Sequence, residues 1–256
     1  MKKITIPENE LPKYSRRTWI AMIQLALFSG IGYAGWRWLR KQPLDGGLLG
    51  GIPAPLRKGL ETNEDLFTRY YDQGRLVKEY PKSKAATDVR INGKIGQDNS
   101  FVSEDSWSLS VQKANGDFLE IKLPEIKRLT KTEVIFNFKC IEGWSQISWW
   151  GGVRMSEFLK AFSLEKESMF KYIGMSTPDT EYTVGIDMLS ALHPQTILAY
   201  EMNGQPLVLE HGAPLRLIIP VKYGYKSLKQ IGSIYFSNGK PADYWAVRGY
   251  DYYAGL

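Results

Sequence analysis

An apolar stretch near the amino terminus places the strongest constraint on how this chain can fold. From Trp19 to Trp36, only Gln24 and Ser29 interrupt a run of apolar, aromatic and glycine residues. As a helix with a rise of about 1.5 Å per residue, this stretch would be about 27 Å long, close to the ~30 Å thickness of the hydrocarbon core of a bilayer. We therefore predict that residues 19–36 form a transmembrane signal anchor. The alternative is a buried helix of a soluble domain.

The flanking residues indicate how such a helix would be oriented. Aromatic residues at both ends suit the two interfaces of a bilayer, and basic residues on both sides leave the orientation by charge open. The preceding basic segment, 1–18, contains Ser15-Arg16-Arg17-Thr18, which resembles a twin-arginine export signal. No convincing cleavage site follows Tyr33. We expect an uncleaved, single-pass anchor in the inner membrane, with the rest of the chain facing the periplasm.

The distribution of charge supports this division. The formal net charge is +6, and the eight basic residues up to Lys41, set against Glu8 and Glu10, account for all of it. Residues 42–256 are therefore neutral overall. A nucleic-acid-binding domain needs a basic face on its folded part, so we predict that this chain has no nucleic-acid partner.

Residues 37–59 are rich in glycine and proline, a composition typical of a linker rather than of a helix or strand. The remaining residues, 60–256, suffice for one domain with a sizeable core. Alternating apolar residues on either side of Asn115-Gly116 predict a β-hairpin; they are Trp107, Leu109, Val111, Leu119, Ile121 and Leu123. A short helix is predicted by apolar residues at helical spacing, namely Met155, Phe158, Leu159 and Phe162. Mixed strands with few short helices indicate an α+β domain.

Cys140 is the only cysteine, so it makes no disulfide within its own chain. Residues 133–139 alternate like a strand with one buried face, and Cys140 falls at the end of that strand. A polar, glycine-containing stretch follows, which we interpret as a loop rather than a continuing core strand. Lone cysteines usually behave as small buried hydrophobic residues, whereas loops at strand ends often carry chemistry. Two roles stay open: core packing, or ligation of one metal through a thiolate.

A second segment surrounds an apolar run, Leu215 to Val221, that is typical of a buried strand. Its basic residues are His211, Arg216, Lys222, Lys226 and Lys229. Arginine offers a bidentate fork, lysine a point charge, and nearby glycine lets backbone N–H groups approach an anion. Phosphate is the candidate ligand. The alternative is an edge strand flanked by solvated lysines.

Three runs in this sequence together resemble a known family. They are Cys140-Ile141-Glu142-Gly143-Trp144-Ser145, His211-Gly212-Ala213-Pro214-Leu215-Arg216 and Lys222-Tyr223-Gly224-Tyr225-Lys226-Ser227-Leu228-Lys229. In order and spacing they are similar to the sulfite oxidase-type molybdopterin oxidoreductases, and in particular to the haem-free catalytic subunits of bacterial periplasmic methionine sulfoxide reductases. The resemblance covers residues 60–256. It implies a sulfite-oxidase-like molybdopterin-binding domain and a molybdenum-molybdopterin cofactor.

The resemblance also implies roles for single residues. Cys140 would be the thiolate ligand of molybdenum, a soft ligand beside the dithiolene sulfurs of the pterin. The residues that would hold the pterin and its phosphate are Asn63, Thr177, His211, Arg216, Ser227 and Lys229. Thr177 equally suits a turn before Pro178. Tyr250, in Trp245-Ala246-Val247-Arg248-Gly249-Tyr250, is the candidate active-site tyrosine. Tyr252 is the alternative, and either tyrosine also suits a core position.

One departure from the family bears on the substrate. Sulfite-oxidising members carry arginine or lysine just after the cysteine, whereas Ile141 to Gln146 contains neither and includes Glu142. A carboxylate there would repel an oxyanion. We therefore expect oxygen-atom transfer in the direction of reducing an uncharged S-oxide or N-oxide, either a small molecule or protein-bound. Sulfite-type oxidation by the same cofactor is the alternative.

Electrons would have to come from another protein. With one cysteine the chain has no C-x-x-C-H motif for a covalent c-type haem. The expected partner is a membrane electron-transfer protein, cytochrome b-like or quinol-linked. A different class of function is a cofactor-free, membrane-tethered binding or assembly module. The thiol and the basic cluster argue against it, because a scaffold does not need them.

Overall fold

The computed structural model describes residues 14–45, 51–91, 93–96 and 106–256. The first helix, α1 (Arg16–Leu39), begins after Ser15, whose side chain accepts a hydrogen bond from the backbone N–H of Thr18. It includes the whole predicted span of residues 19–36, and none of its residues is buried. Of the part of the chain that the structure describes, α1 is the one helix long and apolar enough to cross a membrane, judged by length and composition.

The second helix corrects part of the linker prediction. Helix α2 (Ala54–Arg69) begins inside the glycine- and proline-rich segment. Pro55 lies in its first turn, where proline is tolerated because the N–H groups of that turn have no partner within the helix. The proline content that indicated a linker therefore marks, at this position, the start of a helix.

Two sheets form the body of the domain. Their strands are β1 (Ser108–Gln112), β2 (Phe118–Lys122), β3 (Thr132–Lys139), β4 (Ser145–Arg154), β5 (Tyr172–Ser176), β6 (Thr183–Asp187), β7 (Ile197–Met202), β8 (Gln205–Pro206), β9 (Arg216–Ile218) and β10 (Ser233–Ser237). One sheet has the order β2-β1-β10-β5-β6, with β1 and β10 parallel. The other has the order β3-β4-β7-β8, and β9 pairs with β7. Three short helices, α3 (Leu123–Lys127), α4 (Met155–Ala161) and α5 (Met188–Ala191), connect the strands. The fold is the predicted α+β class.

The predicted hairpin is confirmed as β1 and β2, which pair antiparallel. Gly116 in their turn has a φ of +89°, a left-handed conformation that glycine adopts without steric cost. The predicted helix is confirmed as α4, which buries Met155, Phe158 and Leu159. The first sheet packs its main core against α3 and α4. A second core lies under β3, β4 and β7 and includes Phe136.

The stretch after Cys140 differs from the expectation of a loop. Residues 145–154 are strand β4, and residues 145–152 of it pair with β3. A shift in register falls between Gly151 and Gly152 where β4 pairs with β7. A Cβ atom on Gly152 would come within 2.1 Å of the carbonyl oxygen of Leu198. The glycines therefore permit close strand pairing here and do not mark a loop.

Candidate functional site

Cys140 lies where β3 ends and a tight turn leads into β4. Its backbone N–H donates to the carbonyl of Trp144 (2.9 Å), and Gly143 N–H donates back to the carbonyl of Cys140 (3.2 Å). The side chain is buried, with 8% exposure, and this burial raises the pKa of the thiol. Among the described residues, no group of three or more His, Cys, Asp and Glu side chains could hold a metal ion. A metal at Cys140 would therefore need further ligands from outside this set of described side chains.

Cys140 shares one cavity with three of the other predicted site residues. Ser227, Lys229 and Tyr250 line this cavity of about 130 Å³. Its remaining walls are mostly apolar or aromatic: Gly93, Ile95, Ile141, Glu142, Tyr182, Gly224, Tyr225 and Trp245. Tyr250 is 37% exposed, and its ring lies edge-on to Trp245, with centroids 4.9 Å apart. The sequence spans 110 residues between Cys140 and Tyr250, and the fold brings them to one site.

His211 and Arg216 lie together beside this cavity. Arg216 is 1% exposed; its Nη1 donates to the carbonyl of His211 (2.8 Å) and its Nη2 to the carbonyl of Ser227 (3.1 Å). Its guanidinium stacks 4.6 Å from the ring of Trp150. The Nε atom is buried and has no hydrogen-bond partner within the described parts of the chain. A buried cation with an unsatisfied donor is costly unless a further acceptor reaches it.

Lys229 adds a second buried cation to the same region. Its Nζ donates to the carbonyls of Gly93 (3.0 Å) and Glu210 (2.7 Å). Burial, together with Arg216, lowers the pKa of Lys229 to about 7. Burial and the two neighbouring cations lower the pKa of His211 to about 4. Arg216 thus lowers the pKa of both His211 and Lys229, and positive charge concentrated in this way favours a bound anion.

This donor set fits the terminal phosphate of a molybdopterin. The carbonyl oxygens of Gly93, Glu210, His211 and Ser227 act as weak acceptors for cations that would bind a phosphate more strongly. The cavity itself, at about 130 Å³, is smaller than the roughly 300–1,000 Å³ of most ligand pockets. Because Gly93 and Ile95 line it and Gly93 accepts from Lys229, we expect this segment to move outward when a pterin binds.

Two lysines of the basic cluster are engaged elsewhere, and neither is among the residues that the resemblance assigns to the cofactor. Lys222 forms an ion pair with Asp187 (2.7 Å). Lys226 forms a fully buried ion pair with Asp243 (2.5 Å). Each already has a carboxylate partner, so an added anion would have to compete with it. Arg216 and Lys229 instead donate to backbone carbonyls beside the cavity.

The structure places the other predicted site residues further from Cys140. Thr177 is buried in a turn, where its Oγ1 donates to Asp179 (2.6 Å) and accepts from the N–H of Tyr182 (3.2 Å); Tyr182 in turn lines the cavity. Asn63 lines a separate cavity beside α2. Tyr252 donates to the carbonyl of Pro241 (3.3 Å), away from the cavity of Cys140. Of the two tyrosines, Tyr250 is the one that lines it.

A contact near Cys140 escaped the sequence reasoning. The indole N–H of Trp144 donates to the carboxylate of Glu142 (3.0 Å). The guanidinium of Arg90 lies 4.8 Å from the centre of the Trp144 ring. Arg90 is far from Trp144 in the sequence and belongs to no motif, so only the three-dimensional structure reveals it. Tyr182, Tyr225 and Trp245, which line the cavity, were likewise not predicted as site residues, although the last two stand inside the runs that carry the resemblance.

Comparison with known proteins defines the class of this chain. Residues 96–245 match the oxidoreductase molybdopterin binding domain, and the chain belongs to that family. It is a molybdopterin oxidoreductase, and its family implies a molybdenum-pterin cofactor.

Its relatives carry more particular names. The chain is 34% identical over 186 residues to the putative protein-methionine-sulfoxide reductase subunit YedZ1 of Azospira oryzae, covering 72% of this chain and 70% of that protein. It is 31% identical over 216 residues to the protein-methionine-sulfoxide reductase catalytic subunit MsrP of Xanthomonas campestris pv. campestris, covering 75% of this chain and 62% of the relative. The likeness to the crystal structure of the sulfane dehydrogenase SoxCD from Paracoccus pantotrophus is partial. Its TM-score is 0.49 at 18% identity, over 55% of this chain and 40% of that chain.

Proposed function

We propose that this chain is a membrane-anchored molybdenum-molybdopterin oxidoreductase that reduces an S-oxide. The observation that carries the proposal is the placement of Cys140, Lys229 and Tyr250 in one cavity, with Arg216 beside it. A possible metal ligand, two buried cations for a phosphate and a donor hydroxyl are thus grouped at one site. When bound, the cofactor supplies two-electron oxygen-atom transfer chemistry at its metal.

Each of the predicted site residues would have its own role. Cys140 would hold the metal through its thiolate, and metal binding would displace the proton that burial otherwise favours. Arg216, Lys229, Ser227 and His211 would hold the pterin and its phosphate. Tyr250, half-exposed at the cavity, would donate its hydroxyl proton as a hydrogen bond to the oxygen of the substrate. Asn63 and Thr177 remain candidates for contact with the cofactor. That contact would require their segments to move toward the cavity of Cys140.

The walls of the cavity favour an uncharged substrate. Glu142 brings a carboxylate next to Cys140, and Ile141 and Trp245 bring apolar surface. A carboxylate in a partly desolvated site repels sulfite or another oxyanion. A thioether S-oxide is neutral, and its alkyl arms suit aromatic walls. The names of the relatives, methionine sulfoxide reductase subunits, agree with a protein-bound or small S-oxide, N-oxides being the next candidates.

Helix α1 supports a location at the membrane. We infer that α1 anchors the chain in the inner membrane by a single pass, with the domain of residues 60–256 and the segment before it in the periplasm. Several relatives are named as subunits, which supports a partner. That partner would be a membrane electron-transfer protein, cytochrome b-like or quinol-linked.

The test compares two substrates on protein purified from its own membrane. We expect stoichiometric molybdenum, reduction of a model S-oxide with a reduced dye, and little oxidation of sulfite with an oxidised dye. Glu142→Gln should bring the rate of sulfite oxidation closer to the rate of S-oxide reduction, because it removes the charge that repels sulfite. The glutamine keeps an acceptor for the indole N–H of Trp144. If the purified protein contains no molybdenum, the proposal is wrong and the cofactor-free binding or assembly module is the function that remains. If the unaltered enzyme oxidises sulfite faster than it reduces the S-oxide, the proposed direction of the reaction is wrong.

A further inference from the structure

Helix α2 packs against the body of the domain through its charged residues. Arg57 donates to the carboxylate of Asp45 (2.6 Å) and to the backbone carbonyls of Ala246 and Tyr250 (3.0 Å each). Glu64, the one buried residue of the helix, accepts from Lys240 (2.6 Å) and Tyr172 (3.3 Å). These two residues, seven apart, lie on the same side of the helix. A surface helix usually turns its apolar side to the core, whereas the hydrogen bonds and ion pairs that hold α2 to the domain come from charged side chains.

The apolar side of α2 is consequently left exposed. Leu56, Leu66, Phe67 and Tyr70 follow the spacing of one helical face, and their exposures are 48%, 50%, 57% and 79%. We name these four residues the α2 stripe. Phe67 packs in part on the domain, stacking on Tyr253 with ring centroids 6.3 Å apart, and Phe67 and Tyr70 line a cavity with Tyr253. Large exposed apolar side chains grouped on one helical face suit an interaction site.

The start of α2 is fixed close to the end of the candidate membrane helix. The N–H of Ala54 donates to the carbonyl of Pro43 (2.9 Å), and Leu44 pairs with Pro53 in a β-bridge. Pro43 is four residues beyond Leu39, where α1 ends, so extended chain separates them by at most roughly 14 Å. Trp36 and Trp38 lie in the last turns of α1, and Arg40 is its C-cap residue; these are residue types found at the bilayer interface.

We propose that the α2 stripe lies in the interfacial layer of the lipid bilayer, with α2 parallel to the membrane surface. The inference rests on the proposed anchor, because α1 in the membrane is what holds α2 at that depth. Arg69, exposed beside the stripe, can reach lipid phosphates. An interfacial helix buries its apolar face about 5–10 Å into the headgroup and acyl boundary, which removes the stripe from water without any partner protein.

The docked helix would also orient the active site. Arg57 joins α2 to the backbone of Tyr250, which lines the cavity of Cys140. Attachment of the stripe to the bilayer therefore fixes the direction in which that cavity faces relative to the membrane. A linker without such a contact would leave the domain free to rotate on its tether.

Spin labels on α2 test the proposal in the full-length holoenzyme. Cysteines replace Leu56 and Leu66 in the stripe, and, in matched controls on the other side of the helix, Lys58 and Asp65. The unsubstituted enzyme, whose Cys140 is buried, measures background labelling. Each labelled enzyme is placed in nanodiscs of phosphatidylethanolamine and phosphatidylglycerol. Electron paramagnetic resonance then compares the accessibility of the label to oxygen, which concentrates in lipid, with its accessibility to a water-soluble nickel chelate.

We expect labels at positions 56 and 66 to favour oxygen and labels at 58 and 65 to favour the nickel chelate. Equal nickel accessibility at all four positions in lipid-embedded enzyme would overturn the α2 proposal and leave the anchor intact. The α2 proposal is also overturned, with the anchor intact, if the labels at 56 and 66 lose accessibility to nickel only after a membrane protein is added. That result would make the stripe a surface that binds a protein. Failure of the enzyme to enter nanodiscs would refute the anchor, and with it the placement of α2.

Discussion

At the scale of single residues, replacing the sulfur atom of Cys140 by oxygen should change the chemistry of the site more than the packing around it. It sits in a turn fixed by two backbone hydrogen bonds, and serine is of similar size. We expect Cys140→Ser to fold and retain pterin but to lose turnover, because an alkoxide is a harder and far less available ligand than a thiolate. Circular dichroism, pterin content and S-oxide reduction measure the three properties. Full turnover by the serine variant would remove Cys140 from the metal site.

Arg216 should matter for retention of the cofactor. Arg216→Ala deletes charge-assisted hydrogen bonds worth on the order of 1.5–3 kcal/mol each, and we expect pterin to be lost during purification. Lys229→Ala should act in the same direction but more mildly. Lys139→Ala is the matched control, since Lys139 is an exposed cation next to Cys140 in sequence. The released, oxidised pterin can be measured by fluorescence, and normal content in both site variants would refute the phosphate assignment.

Lys229 also predicts a pH dependence of stability in the cofactor-free protein. Burial lowers its pKa to about 7, whereas an unfolded lysine titrates near 10.4. Between those values the unfolded chain binds more protons, so stability should rise with pH from about 7 toward 10. Urea unfolding at pH 7 and pH 9 measures the gain. We expect Lys229→Met to reduce it and His211→Gln to leave it unchanged, because His211 titrates near 4 when folded. A gain unchanged in Lys229→Met would contradict the assignment.

At the scale of elements, the turn before β9 depends on one glycine. Gly212 has a φ of +96°, and a Cβ atom there would lie 2.8 Å from the Cβ of Lys229. Gly212→Ala should therefore destabilise the protein by more than the roughly 1–2 kcal/mol of left-handed strain alone and should displace Lys229 from the site. Gly116→Ala is a matched control, because Gly116 has a φ of +89° with nothing within 4 Å of the added atom. Equal unfolding free energies and equal pterin content in the two variants would show that the contact with Lys229 is unimportant.

Periodic elements were the ones that the sequence predicted well. Strand β3, the hairpin of β1 and β2 and helix α4 each bury alternating or helically spaced residues, and that pattern is local. The sequence-based predictions of secondary structure were wrong where contacts between residues far apart in the sequence determine the structure. The pair Gly151-Gly152 suggests a loop until β7 is seen to pack against it. The apolar run Leu215 to Val221 is only partly a strand: β9 ends at Ile218, two residues before Pro220, which has no N–H to donate to a ladder.

The candidate site shows the same division between local and long-range information. Cys140, Arg216, Lys229 and Tyr250 stand in recognisable runs, and the fold places them in or beside one cavity. The ion pairs that occupy Lys222 and Lys226 come from Asp187 and Asp243, which belong to no motif. Nothing in the basic run itself distinguishes these structural lysines from Lys229, because the distinction depends on which carboxylates the fold brings near.

At the scale of the whole molecule, the contacts of the linker define where the anchor can be removed. Pro43, Leu44 and Asp45 all contact the start of α2 or Arg57, whereas Gln42 bonds only toward α1 among the contacts described. A chain cut before Gln42 should therefore keep a folded domain. We expect it to reduce a model S-oxide with an artificial donor as fast as the full-length enzyme does.

The same truncated enzyme should lose coupling to the electron supply of the membrane. The anchor holds the domain near a membrane partner and so raises the effective concentration for electron transfer without adding contacts. The measurement compares truncated and full-length enzyme with dye and with native membranes. A second truncation that also removes Asp45 is the structural control, because it breaks the ion pair with Arg57 and should lower the dye-driven rate as well. If the domain cut before Gln42 draws electrons from membranes as fast as the anchored enzyme, delivery of electrons does not depend on the anchor.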